Sequence, residues 1–386
     1  RQRQMCIRDR STDDKKISWT VNLKKEHEKR VIHHFDKNTF VETSYRPFNK
    51  MELYYHRPFI ERPGIFGKIF PNGNDNLVIT LTGTGYRNDF SCLITNIYPN
   101  LDLLEKSQCF PLYWYEENKN REGTLFDNAE TNKYIRRDGI TDWILKEVRN
   151  RFGGSRAITK EHIFYYVYGL LHSAQYRERF ADDLKKSLPR IPIVDNVQDF
   201  MTFYKAGKEL ADLHLNYEQG INKQATGQDG DYAYFAEMPM KTYQTHAVKV
   251  IGDIDIWQSE CTDVIYQHFA VEKMRFAKVR DENGKLVADK SKIIYNGHIT
   301  IENIPFKAYE YIVNGKSAIE WIMERYAVAQ DSKSLIVNDP NDWSKEHNKP
   351  RYILDLLLSV VNLSVQSVEI INSLPNLTFD NIKPKN

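Results

Sequence analysis

The sequence has 386 residues, 41% hydrophobic and 27% charged, with a formal net charge of +2. That length accommodates two or three domains and a sizeable core, and the near-neutral charge makes no electrostatic case for nucleic acid by itself. The longest nearly apolar run, Tyr352 to Val365, is broken by Asp355 and Asn362 and falls short of the roughly 20 apolar residues of a membrane span, so a soluble, cytoplasmic chain with no membrane partner is expected.

In chain order, the first ten residues, RQRQMCIRDR, resemble a translated sequencing-library adapter and lack the apolar core of a signal peptide. Removing their four arginines and one aspartate from the 54 basic and 52 acidic residues leaves a net charge of −1. Residues 1–10 are therefore expected to be a disordered artefact, and the chain a fragment whose N-terminal part is missing. Residues 11–40 are polar and mixed in charge. From Tyr45 the texture is strand-like and aromatic (SYRPFNKMELYYH, NLVITLTGTG, CFPLYWY), with prolines at 47, 58, 63, 71, 99 and 111 punctuating short strands. Residues 116–133 read as a polar linker.

Helices follow. TDWILKEVRNRFG opens on Thr141 as N-cap and stops at Gly153 and Gly154. ITKEHIFYYVYGLLHSAQYRERFADDLKKSLPRIP, residues 158–192, predicts two helices. In the first, capped by Thr159, the residues Ile163, Val167, Leu170 and Leu171 make one buried face. In the second, Tyr176, Phe180 and Leu184 make another, and Pro189 ends the helix. A third helix buries Phe200, Phe203, Tyr204, Leu210 and Ala211. GINKQATGQDGD then reads as a loop.

Beyond that loop the period changes. KIIYNGHITI is a hairpin signal, Asn296-Gly297 suiting left-handed turn residues, and KVRDENGKLV is a longer-looped hairpin around Asn283-Gly284. Ser317 and Glu320 form a capping box, and RYILDLLLSVVNLSVQSVEIIN is a final amphipathic helix. The fold class is α+β: a strand-rich N-terminal segment, then a helical bundle with a small antiparallel hairpin sheet.

Few residues carry chemistry. LTGTG (81–85) has no GxGxxG or GKS/T continuation and reads as a strand-to-turn junction. VNDPNDW (337–343) departs from the (N/D)PP(Y/F) motif of amino-methyltransferases, since Asn341 replaces the second proline and no aromatic follows directly; it reads as an Asx-capped turn. The cysteines (Cys6, Cys92, Cys109, Cys261) have no CxxC spacing or clustered histidine, so neither zinc nor a disulfide is expected. His33-His34 read as surface histidines, and Cys109 as a buried thiol. Two basic segments remain. Arg177, Arg179, Lys185, Lys186 and Arg190 lie along the second helix; Lys273, Arg275, Lys278, Arg280, Lys285, Lys290 and Lys292 lie on and beside the longer hairpin. Solvated faces would look the same, but the hairpin is the better DNA candidate, because a two-stranded ribbon fits the major groove and its cations suit phosphate contact.

The wording of several ordered blocks adds more. SQCFPLYWY, the 158–192 stretch, AGKELADLHLNYE, VEKMRF, YNGHITIENIP, AYEYIVNGKSAIEWIMERY and VNDPNDW together resemble the C-terminal region of type ISP restriction–modification enzymes, from roughly Tyr45 to Pro375. These are single-chain bacterial defence proteins with a nuclease, a helicase-like ATPase motor, an adenine-N6 methyltransferase and a target-recognition domain. The resemblance implies that residues 11–125 end the methyltransferase region and residues 126–386 form the DNA target-recognition domain. It implies double-stranded DNA and the upstream methyltransferase and helicase-like domains as partners. The family's catalytic and cofactor motifs have no counterpart here; S-adenosylmethionine, ATP and Mg would serve the parent enzyme, with no cofactor, metal or catalytic residue in this chain. A scaffold that docks the motor or coupler with little DNA contact is the alternative.

Overall fold

The computed structural model describes residues 19–60, 64–71, 75–118, 133–226, 230–236, 247–256, 261–332 and 335–377. Residues 1–10 lie outside them. Helix α1 (Val21–Glu28), capped by Thr20, leads into the hairpin β1 (Phe40–Arg46) and β2 (Asn49–Tyr54). After α2 (Phe66–Ile69) come β3 (Val78–Leu81), β4 (Cys92–Thr95), β5 (Tyr98–Pro99), β6 (Gln108–Pro111), β7 (Tyr113–Glu117) and β8 (Tyr134–Asp138). β3 is the centre of an antiparallel β4-β3-β6 sheet, and β5 adds parallel to β1. β7 pairs with β8. The stretch read as a linker thus begins inside β7 and ends just before β8, and residues 119–132 within it lie outside the described residues.

Helices α3 (Asp142–Arg151), α4 (Lys160–His172), α5 (Ala174–Arg179), α6 (Ala181–Lys186) and α7 (Val197–Leu215) pack on β3 and β4. Thr141 and Thr159 cap α3 and α4 as expected. Helix α4 is buried on nearly every side, not on one face: Phe164, Tyr165, Tyr166 and Tyr168 join Ile163, Leu170 and Leu171 inside, while Val167 is only half-buried. Two of its tyrosine hydroxyls find buried partners: Tyr166 donates to the Pro192 carbonyl at 2.6 Å and Tyr168 meets His214 Nδ1 at 2.6 Å. The second predicted helix is two. Phe180 leaves helical geometry (φ −110°, ψ 20°), and α6 ends at Ser187, before Pro189. Tyr204, expected in the core, is half-buried at its edge.

The rest is built on one antiparallel sheet. Strands β9 (Ile221–Ala225), β10 (Asp231–Ala236) and β11 (Val248–Ile251) precede α8 (Asp263–Phe269), and β12 (Arg275–Arg280), β13 (Leu286–Ile294) and β14 (Thr300–Glu302) follow it. Their order is β12-β13-β14-β11-β10-β9. The sheet is larger than the expected pair of hairpins, because the supposed loop GINKQATGQDGD contains β9. After the short pair β15 (Ile312–Val313) and β16 (Lys316–Ser317) comes α9 (Ala318–Arg325), whose Ser317–Glu320 capping box is present. The pair β17 (Ala329–Gln330) and β18 (Val337–Asn338), then α10 (Pro340–Glu346) and α11 (Tyr352–Asn372), complete the chain.

Two expectations need correction here. Asn296 and Gly297 do not take left-handed geometry. The Asn296 side chain instead accepts from the His298 and Ile299 amides (2.8 and 2.7 Å) and donates to the His268 and Ala270 carbonyls, so it ties a wider loop to the end of α8. Helix α11 runs through Asn372 and, at 21 residues, is long and apolar enough to cross a membrane. Most of its length is buried inside the protein, against the six-stranded sheet and α9, and its C-terminal part from Ser367 onward also meets the α4–α7 bundle. A core helix touched on all sides carries no polar stripe.

Candidate nucleic-acid interface

Strands β12 and β13 pair in two blocks. Arg275 and Phe276 face Ile294 and Ile293, whereas Ala277, Lys278, Val279 and Arg280 face Asp289, Ala288, Val287 and Leu286. The step between the blocks leaves Lys290, Ser291 and Lys292 unpaired on β13, and such a bulge bends the strand and increases its twist. The outer four pairs form an arm that projects from the sheet. Val279 is 49% exposed and Leu286 54%, and neither belongs to a core.

Both ends of the arm are fixed. At its tip the Asp281 carboxylate accepts from the Asn283 and Lys285 amides (3.0 and 2.9 Å), Gly284 takes φ +76°, and the Arg280 guanidinium donates to the Gly284 carbonyl. At its base the Tyr309 hydroxyl donates to the Lys290 carbonyl at 2.7 Å.

The seven hairpin cations divide accordingly. Lys290 lies 3.3 Å from Glu320 and over the Tyr309 ring, and Lys292 pairs with Glu302. Arg280 is exposed but holds its own turn. Lys273, Arg275, Lys278 and Lys285 are exposed, with no side-chain hydrogen bond or ion pair among the described residues. In the second group Arg177 is structural: Nε donates to the Leu171 carbonyl at 2.6 Å, and the guanidinium reaches Cys92 Sγ at 3.5 Å and lies over Phe90. Arg179, Lys185, Lys186 and Arg190 are exposed. The two groups stand on different cores, the hairpin on that of the six-stranded sheet and α5–α6 on that of the helices.

The other candidates prove structural. In LTGTG a side chain at Gly83 would collide with the Lys106 carbonyl, so the glycine serves close backbone approach. In VNDPNDW the Asp339 carboxylate caps α10, and Asn341 both accepts from the Val271 amide and donates to the Val271 carbonyl. His33 is half-buried against Glu26 (2.9 Å) and the edge of Phe59, not a free surface histidine. Cys109 is half-buried beside Thr80. Among the described residues no three His, Cys, Asp or Glu side chains come together as metal ligands.

Cys92 does have a histidine neighbour, contrary to expectation. Its Sγ lies 3.5 Å from His172 Nδ1, which donates to the Tyr168 carbonyl. The His172 and His214 rings are 5.6 Å apart; His214 meets the Tyr168 hydroxyl at 2.6 Å and Ser367 Oγ at 3.1 Å, and stacks on Tyr311. Burial pushes the Cys92 thiol up to about 11 despite Arg177, so it is no nucleophile. Burial and the nearby Arg177 hold His172 well below the ordinary histidine range and His214 down to about 3. Cys92 lies 80 residues from His172 in sequence, and Tyr168 46 from His214, so no local spacing announces the cluster. A second such network binds Arg351 to Asp253, Tyr234 and Asp355. Finally, an apolar cavity of about 530 Å³ lies between α2, β6 and α4, lined by Ile65, Phe110, Trp114, Ile140, Phe164 and Val167 among others.

A family model for the type ISP C-terminal specificity domain matches residues 2–356. The chain is similar in structure to the ATP-dependent type ISP restriction-modification enzyme LlaBIII bound to DNA, at 34% identity and a TM-score of 0.72, over 94% of this chain and 20% of that one. It is similar to a nuclease-deletion mutant of the type ISP enzyme LlaGI in complex with a DNA substrate mimic, at 33% identity and a TM-score of 0.68, over 95% of this chain and 23% of that one. The DrdV–DNA complex matches at 27% identity and a TM-score of 0.71, over 97% of this chain and 32% of that one. The chain thus spans a fifth to a third of the length of these proteins. No curated protein matches it.

Proposed function

The chain belongs to the type ISP C-terminal specificity-domain family, and on that premise we propose that it selects the double-stranded DNA target of a type ISP restriction–modification enzyme acting in the cytoplasm. On this reading the parent enzyme is an adenine-N6 methyltransferase coupled to an ATP-driven translocase and nuclease. S-adenosylmethionine, ATP and Mg then act in its other domains, which are partners of this one. The observation that carries the reading is the arm of β12 and β13. It is fixed at both ends, contributes no side chain of its outer pairs to a core, and has unpaired cations at Lys278 and Lys285, with Lys273 and Arg275 beside its base. A rigid two-stranded ribbon with free cations suits entry into a major groove.

Selection of bound duplexes from a randomised library by the purified chain tests the proposal. The expected result is enrichment of one sequence, with affinity falling linearly in log salt. Library sequences that stay random, with no salt-dependent binding, would overturn it. The apolar cavity beside Trp114 favours a second reading, docking of another part of the parent enzyme, which gives little salt dependence because apolar contact releases few counterions.

A further inference from the structure

We infer that the aliphatic face of the arm selects bases, and that it selects thymine through its C5 methyl group. The inference rests on the DNA-binding reading above. Cross-strand partners share a face and neighbours along a strand alternate. The register therefore puts Val279 and Val287 on one face with Ala277, and Lys278 and Arg280 on the other. None of the three aliphatic side chains is part of either large core, and Val279 is half exposed. Asp289, which shares their face, is occupied by the Ser291 amide and hydroxyl (2.9 and 2.6 Å).

A ribbon of four pairs is about 13 Å long, enough to cross a major groove about 12 Å wide and 8.5 Å deep. Seated there with the valines toward the base edges, the arm turns its other face, with Lys278, Ala288, Arg280 and Leu286, outward, and the long cationic side chains reach back over its edges to the phosphates. Valine offers no donor or acceptor, and the one apolar group a base pair presents in that groove is the thymine methyl. The bulge and the Asp281-capped turn fix the arm beforehand, so little ordering is needed at the moment of contact.

The test uses the full chain and the duplex selected above, with each thymine replaced in turn by uracil, which lacks only the methyl. Wild-type affinity is expected to fall about fourfold at one or two positions, the worth of one buried methyl. The Val279→Ser variant removes both methyl groups at an exposed site; it should bind thymine and uracil duplexes alike at those positions, with the wild-type salt slope. Wild-type protein indifferent to every uracil, or a Val279→Ser variant that discriminates as before, overturns the inference. If Lys278→Ala still lowers the salt slope in either case, the DNA-binding reading stands without it; if Lys278→Ala also changes nothing, the arm is not the DNA contact and both fall.

Discussion

Gly169 of α4 and Gly207 of α7 meet backbone to backbone. A Cβ on Gly207 would lie 2.7 Å from the Gly169 amide nitrogen and overlap the Tyr165 carbonyl, and one on Gly169 would overlap the Phe203 carbonyl. Neither glycine needs a left-handed φ, since both are helical. They are required because the two helices cross where no side chain fits, which lets Tyr166 stack on Phe200 with ring centroids 4.5 Å apart.

Gly207→Ala should therefore destabilise the protein, although alanine is the better helix former. The obstacle is backbone, not a flexible side-chain end, so the helices must part; overpacking of this kind costs about 1–3 kcal/mol. Thermal unfolding checks it, and a melting temperature equal to or above wild type would show that the helices separate without cost.

Arg351 and Asp253 form the second buried network. Asp253 is fully buried, and Arg351, lying over the Phe269 ring, also meets Tyr234 and Asp355. Arg351→Met would leave the Asp253 carboxylate buried without its charge partner. The expected loss is about 3–5 kcal/mol, measured by urea denaturation. Replacing both Asp253 and Arg351 by apolar residues should restore part of it, because the pair itself contributes less than its rupture costs.

His172 and His214 give the protein an acid-sensitive core. Cys92, Arg177, Tyr168, Tyr311 and Ser367 surround them, none of them a carboxylate. Burial depresses both histidines in the folded state, His214 to about 3, from an ordinary value of 6.5. Between those values the unfolded chain binds more protons than the folded one, so stability is full above pH 6.5 and falls as pH drops toward 3. At pH 5 the loss from His214 is about 2 kcal/mol, and His172 adds to it in the same direction. Urea midpoints from pH 8 to pH 5 measure it, and His214→Phe should remove part of the slope. A flat profile would mean that the histidines reach water.

How much of this the sequence disclosed depended on range. Caps and turns written within four residues were legible: Thr141, Thr159, Ser317 with Glu320, and the hairpin around Asn283-Gly284. What depended on distant partners was not. The Cys92–His172–His214 cluster is set by residues far along the chain, whereas strand β9 pairs with the adjacent β10 and was hidden by its glycine-rich polar wording. The seven hairpin cations were legible as a group, but not their division, since Glu302 and Glu320 are brought to Lys292 and Lys290 by folding alone.

The purified chain should transfer no methyl group from S-adenosylmethionine to DNA. Its glycines do not follow a cofactor-loop pattern, and Asp339 and Asn341 of the one motif that invites comparison are spent on a helix cap and on Val271. Radiolabel incorporated above background, in the presence of ATP and Mg or in their absence, would contradict this.

The division of the cations makes the last prediction. Free cations that meet phosphates release counterions, and the slope of log affinity against log salt counts them. Lys278→Ala and Lys285→Ala together should weaken binding to selected and scrambled duplexes alike and lower the slope by roughly one per lost phosphate contact. Lys290→Ala with Lys292→Ala should change the slope less, because Glu320 and Glu302 already neutralise those ammonium groups. Arg177→Ala should instead lower stability, since its guanidinium holds the Leu171 carbonyl and the Cys92 thiol, with no effect on the slope of the protein that remains folded. The exposed substitutions leave stability within about 0.5 kcal/mol, so the two effects separate cleanly. Titrations at several salt concentrations, paired with thermal unfolding of each variant, decide it. Equal slopes for all of them would assign the arm to solvent and make the exposed Arg179, Lys185, Lys186 and Arg190 the next surface to substitute.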